Sequence, residues 1–504
     1  MALAYRPPGV SVDEIVTPQI SSLLSAPALV ALVGPTQGYQ TRTDQFVISG
    51  TSAIPLPGLP AGAVLFDATV SVKNALNPSA GATDGSGYAV TTDFTISTVN
   101  GTITRVGGGT IPDNTLINVT YRYVVSDYYQ PFRLYDLASV ESRYGSALNA
   151  AGTAINSHLS YAAALAFENG AASVVCQPLF SRTVVGDPTT APVAPTTTSW
   201  AASTTWSDTL YVLRDIEDIN VIVPVVGQSM ANITDAVQLS IAQAVQDHLF
   251  FMQNQDQYII SIVGEDSSTD ISKATKTTIQ SHATTLRGRY GGILAEQQVL
   301  INTSRFTRAL PAFGGTIAVG GQYVAAAVAG MLASRPTSST LTRKVISGFV
   351  GLTDPRDSAD KNSDAANGLM VIEQKGQNLF VRHAITTDTT GSARRELSVV
   401  RAKHRVVESV KDTIDRQLIG NLIADDNATS VVRGTIIAVL EGLKSEKDIV
   451  DYTGVQARFV SLDPTTIQVR FSYRPAFPVN YINIEFSLDL STGQIQSTVP
   501  LATI

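Results

Sequence analysis

Three features predict a multidomain chain of mixed α/β and α+β class. Apolar runs alternate with helical patterns over residues 127–375, which is the signature of a mostly parallel sheet with helical crossovers. Short alternating runs with turn residues fill 44–126, and nothing helical interrupts them. Long helical patterns followed by strongly alternating strands close the chain. At roughly 150 residues per domain, 504 residues imply about three domains. The predicted parts are an N-terminal arm (1–20), a central α/β domain (21–43 and 127–375), an inserted all-β sandwich-like domain (44–126), a C-terminal α+β domain (376–480) and a C-terminal strand or arm (481–504).

The chain opens on "YRPPGVSVDEIVTPQI" at 5–20. Two prolines favour an extended start, and Val10 and Val12 then alternate with Ser11 and Asp13. This is a strand with no partner near it in sequence. "APALVALVGPTQG" reads as a buried strand closed by Gly34-Pro35. In the 44–126 segment, Asn100-Gly101 inside "DFTISTVNGTITRV" predicts a hairpin, because Gly tolerates positive φ. "NVTYRYVV" places Val119, Tyr121, Tyr123 and Val125 on one face. Asp136 is placed to cap a helix, and "AINSHLSYAAALAFENG" is an Ala-rich helix stopped by Gly170. "ASVVCQPL", "INVIVPVVG" and "QYIISIVG" are buried strands. Between the last two lies an amphipathic helix with Val237, Ile241, Ala244, Val245 and Leu249 on one side. "ELSVVRAKHRVVESVKDTIDRQLIG" reads as one long helix, and "VVRGTIIAVLEGLKSE" as a second with Val432, Ile436, Val439, Leu440 and Leu443 inward. Ile467, Val469, Phe471 and Tyr473 share one face of a strand, and Ile482, Ile484, Phe486, Leu488 and Leu490 share one face of the next.

Composition excludes several classes. Hydrophobic residues make up 44% and charged residues only 15%, so the core is large and the surface charge-poor, which favours assembly. A net charge of −7 argues against direct binding of nucleic acid. The start "MALAYRPPG" has no apolar region of a signal peptide, and the four N-x-Ser/Thr triplets carry little meaning without one. Residues 309–334 carry no charge, but Pro311, several glycines and Gln322 predict a buried strand-turn-helix and no membrane insertion.

The search for chemistry is nearly empty. Cys176 sits in an apolar run, so an inert buried thiol is expected. None of the five histidines has metal-ligand spacing to another His, Cys or Glu, and His248 on an apolar helix face is expected to be packed. "VGPTQGYQT" lacks the Gly-Lys-Ser/Thr of a phosphate loop. "DPRDSADKNSDAANG" has acids spaced like the first ligands of a calcium loop, but Ala365 and Val371 stand where glycine and glutamate are required, so a solvated loop is expected. No catalytic residue, metal or cofactor is predicted, and the chain is not expected to be an enzyme. Arg394, Arg395, Arg401, Lys403 and Arg405 cluster where the long helix starts, which reads either as a solvated face or as an electrostatic contact with an acidic partner.

An alternating arm without its own partner is able to add a strand to the sheet edge of another molecule. The opening "YRPPGVSVDEIVTPQISSLLSAPALVALVGPTQGY", with its acidic pair Asp13-Glu14, resembles the start of contractile tail sheath proteins of phages. "LYDLASVESRYG" followed by "NGAASVVCQPL", and "RRELSVVRAKHRVVESVKDTID" with the terminal strand pair, resemble that family's later blocks. The resemblance spans most of the chain outside 44–126. It implies a structural subunit that stacks as hexameric rings around a tail tube and contracts to drive the tube through a host envelope. It implies strand exchange between subunits through Val10, Val12, Asp13, Glu14, Ile482, Ile484, Phe486 and Leu488. It also implies a C-terminal domain facing the tube through Arg394, Arg395, Arg401, Lys403 and Arg405, and an inserted domain on the outside. The implied partners are further copies of the chain, a tail tube protein, and baseplate and tail terminator proteins. The implied location is the virion tail, assembled in the host cytoplasm. A phage-tail-like injection particle and a β-sandwich surface or adhesion protein are the alternatives, with a hydrolase on the central sheet as the enzyme reading.

Overall fold

The computed structural model describes residues 28–480 apart from short segments at 67–69, 76–86, 99, 126, parts of 183–189, 196–198, 217, 227–233, 266–272, 303–304, 310–314, 354–355, 426 and 461–462, and then the pairs Ser487–Leu488 and Ile495–Gln496. Contacts divide it into two compact units. One is Ser409–Arg474, and the other is Pro27–Glu408 with the residues from Pro475 onward.

The larger unit is built on a nine-stranded sheet. Its order is Val345–Ile346, Asn378–His383, Leu369–Lys375, Gln298–Ile301, Ile260–Val263, Ile219–Pro224, Leu29–Gly34, Val174–Pro178 and Phe132–Leu134. The six strands from Leu369–Lys375 to Val174–Pro178 run parallel, and the flanking strands are antiparallel. Both faces are covered, so the central strands read as unbroken apolar runs. Leu29–Gly34 shows how the two faces divide. Val30 and Leu32 pack with the helices His158–Glu168 and Gly321–Ala333, while Leu29, Ala31 and Val33 pack with Ser203–Tyr211 and Asp235–Gln253.

The charge-free stretch forms a strand, Thr316–Gly320, and then the helix Gly321–Ala333, every residue of which is buried. Among the described residues no helix is long and apolar enough to cross a membrane. Close approach explains the small residues. A Cβ on Gly330 would lie 2.2 Å from the Ala166 carbonyl oxygen of the neighbouring helix.

Residues 40–124 hold strands with a core of their own, centred on Ile48, Phe94, Ile103, Ile117, Val119 and Tyr121. Gln40–Ile48 pairs along its whole length with Thr115–Val124, so the segment's entry and exit lie side by side. Val125, expected on the inner face, falls beyond the strand end and is 39% exposed. Phe94–Ser97 and Thr102–Arg105 pair across residues 98–101, with Gly101 at φ 60°. Aromatic rings join this core to the sheet unit: Phe66 lies 5.0 Å from Tyr39 and 6.5 Å from Tyr128, which lies 5.6 Å from Tyr144.

Two local expectations are corrected. The acidic stretch expected to be a solvated loop is the helix Ser358–Ala366, with Asp357 as its N-cap. Asp364 turns inward and pairs with Arg356 at 2.6 Å, both almost fully buried. An acid-rich string hides a helix when one carboxylate caps the start and another meets a buried cation. The single helix expected to begin at the basic cluster is instead two helices, Ser392–Arg395 and Leu397–Gln417. Glu396 between them is extended and bridges to Ile385.

The smaller unit consists of the end of Leu397–Gln417, the helix Ala428–Ser445 and two paired strands, Ile449–Val460 and Asp463–Pro475. Val432, Ile436, Val439, Leu440 and Leu443 are buried with Ile449 and Val455.

Candidate functional site

Two surfaces bear on contact with another chain. The strand pair Ile449–Val460 and Asp463–Pro475 is the first. Ile467, Val469, Phe471 and Tyr473 alternate with exposed Gln468, Arg470, Ser472 and Arg474. Yet the apolar set is only half-buried, and Ile449–Val460 buries only Ile449 and Val455. Lys444–Asp451 at 2.9 Å and Tyr452–Glu441 at 2.6 Å tie the first strand to the helix Ala428–Ser445. Among the described residues the sheet has just these two strands. The sequence reading missed Ile449–Val460, because Asp451, Gly454 and Gln456 break its apolar alternation.

Of the residues expected to exchange strands, Val10, Val12, Asp13, Glu14, Ile482, Ile484 and Phe486 lie outside the described residues. Leu488 belongs to a two-residue strand whose backbone pairs with Ile495.

The basic cluster is the second surface, and the fold disperses it. Arg394 contacts Glu296 at 3.2 Å and Asp388 at 3.1 Å, and donates to the Gly292 carbonyl at 2.9 Å. Lys403 pairs with Glu296 at 2.5 Å. Arg395 donates to the Ala365 carbonyl at 2.7 Å. Arg401 is 5% exposed and donates to the carbonyls of Leu332, Arg335 and Pro336, which close the helix Gly321–Ala333. Arg405 is half-buried. The side chains of Arg394 and Lys403 are 42% and 43% exposed. Glu296 and Asp388 are the residues that sequence reasoning missed. Glu296 lies near its partners only after the sheet has formed, so no local pattern marks it, and Asp388 meets Arg394 across a six-residue turn.

Three histidines are held neutral by burial. His158 and His248 are pulled down to about 4 and His404 to about 3, with nearby cations adding to burial at the last two. His158 Nδ1 lies 2.5 Å from the Tyr323 hydroxyl, and neither ring nitrogen of His248 has a hydrogen-bond partner. Cys176 is fully buried, which raises its thiol far above the usual range. Glu265 and His282 form a buried pair at 2.6 Å. Among the described residues no group of three or more His, Cys, Asp and Glu side chains is placed to hold a metal ion.

No family model matches the chain. The fold is similar to the contracted helical sheath of the anti-feeding prophage, with a TM-score of 0.54 at 12% identity over 96% of this chain and 100% of that one. It is also similar to the contracted PVC sheath complex of an extracellular contractile injection system, at 0.50 and 12% identity over 72% of this chain and 88% of that one. In sequence, 444 residues are 30% identical to the tail sheath protein of Mycobacterium phage Bxz1, covering 84% of this chain and 69% of that protein. On this long stretch of identity, the chain belongs to the tail sheath protein family.

Proposed function

We propose that this chain is the repeating subunit of a contractile sheath, stacked as six-membered rings around a tail tube. The observation that carries the reading is the strand pair Ile449–Pro475, a sheet of just two strands among the described residues with a half-covered apolar face. Terminal segments of neighbouring copies add strands there, through Val10, Val12, Asp13 and Glu14 at one end and Ile482, Ile484, Phe486 and Leu488 at the other. One added strand is marginal. A backbone hydrogen bond nets about 0.5–1.5 kcal/mol, while ordering a residue costs roughly 1–2 kcal/mol. Linking many copies makes each later contact effectively intramolecular, so the exchange suits a polymer.

In this reading residues 376–480 face the tube and 44–126 face outward. The exposed parts of Arg394 and Lys403 lead the cationic contacts, with Arg395, Arg401 and Arg405 behind them. The partners are further copies of the chain, a tube protein, and baseplate and terminator proteins. The subunit is assembled in the host cytoplasm and resides in the virion tail. Contraction needs no bond cleavage, because the driving energy is the difference between two packings of one sequence, and it carries the tube through the host envelope.

The test is removal of residues 1–16. The shortened chain should keep the melting behaviour of the intact monomer and form no tubes under negative-stain electron microscopy. Tubes of normal appearance would overturn the strand-exchange reading.

A further inference from the structure

Glu396 joins two stretches of the larger unit that are far apart in sequence. The chain leaves the larger unit along the helix Leu397–Gln417 and returns to it at Pro475. Glu396 is the residue just before that helix. Its neighbours are fastened to the strand exit 384–386: the Thr386 amide donates to the Arg395 carbonyl at 2.8 Å, and the Leu397 amide donates to Ala384 at 3.1 Å. The Glu396 side chain is 5% exposed and reaches the returning segment, where Asn480 Nδ2 donates to its Oε2 at 3.1 Å. His383 Nε2 meets the same oxygen at 2.9 Å, and Thr340 Oγ1 lies 3.3 Å from Oε1. Asn480 Nδ2 also lies 3.3 Å from His383 Nε2.

Little else on the returning segment resembles this contact. In "PAFPVN", Phe477 is 50% and Val479 80% exposed, while Asn480 is half-buried. Two prolines stiffen the approach, and the amide then ends on a buried carboxylate. A buried carboxylate that loses a donor pays more than one hydrogen bond, because its charge stays desolvated.

We infer that Glu396 is a clasp: its carboxylate holds Asn480, so the residue from which 481–504 continue is fixed beside the root of the helix Leu397–Gln417. The clasp is a property of the single chain. Its consequence for assembly rests on the strand-exchange reading, because a donated segment spans a fixed distance to its acceptor only if its root is fixed. Asn480 is then a positioning residue. It touches no partner itself, but determines from where residues 481–504 reach one.

Asn480→Ala removes only the arm-side partner, and Asn480→Asp places a second carboxylate against Glu396. Hydrogen–deuterium exchange on the full-length monomer reads the clasp directly. Exchange over residues 476–480 should rise about tenfold in Asn480→Ala and further in Asn480→Asp, with one cooperative unfolding transition kept and the melting temperature lowered by only a few degrees. Exchange equal to the parent in both variants would overturn the clasp. Electron microscopy of the same variants reads the positioning role. Short or irregular tubes support it, and tubes indistinguishable from the parent overturn it. If the parent itself forms no tubes, the sheath reading fails, while the exchange result still decides the clasp.

Discussion

His248 carries no hydrogen bond on either ring nitrogen, yet sits at 2% exposure on the helix Asp235–Gln253. Its burial, like that of His158 and His404, favours the neutral ring, so the folded chain refuses protons that the unfolded chain accepts. The stability these residues contribute is therefore complete above an ordinary histidine pKa near 6.5 and is lost as the pH falls toward about 4. The loss reaches about 1.4 kcal/mol per pH unit for each group. The melting temperature should drop between pH 7 and pH 5, and His248→Leu should lower the proton uptake on unfolding by about one. An unchanged uptake would show that His248 does not carry this penalty. The sequence foresaw this packing, since a lone histidine beside Val245 and Leu249 has nowhere else to point. It did not foresee Asp364 or Glu296, whose partners lie elsewhere in the chain and meet them only through the folded sheet.

Elements whose residues answer to one local rule were legible. The alternation in 467–473, the stripe in 432–443 and the apolar runs of the central strands each report which face is covered. The helix Gly321–Ala333 was legible for another reason: glycine and alanine without charge suit a helix packed on all sides. Here propensity and packing oppose each other, which makes a clean test. Gly330→Ala should gain about 1 kcal/mol from helix propensity alone. The new methyl would instead meet a backbone carbonyl at 2.2 Å, so a net loss of about 1–3 kcal/mol is expected in chemical denaturation. Gly434→Ala, in a helix where an added Cβ meets nothing within 4 Å, should stabilise. Equal effects at both positions would show that helix contact does not set the cost. The break at Glu396 was not legible, because residues 394–405 are all compatible with helix. Main-chain bonds to 384–386 pull the backbone out of it.

At the scale of the molecule, the segment 40–124 begins and ends on one strand pair, Gln40 opposite Tyr123. Replacing 41–122 by a short turn should leave the nine-stranded unit able to fold cooperatively. Phe66 would no longer cover Tyr39 and Tyr128, so a fall of several degrees in melting temperature is expected from lost aromatic contact. Loss of the cooperative transition would show that the sheet unit depends on this segment to fold.

Residue order alone decided the mixed α/β class and the type of the strongly periodic elements, because periodicity of two or 3.6 residues is written locally and tells which side of each such element is hidden. The same order pointed to the tail sheath family. Tertiary structure alone decided which charges are spent inside the chain. The cations at 394–405 look like one outward patch in sequence, but carboxylates and helix-end carbonyls roughly 30 to 110 positions away engage most of them. Electrostatic and hydrogen-bond partners are set by distance in space, and that distance exists only after the strands have paired.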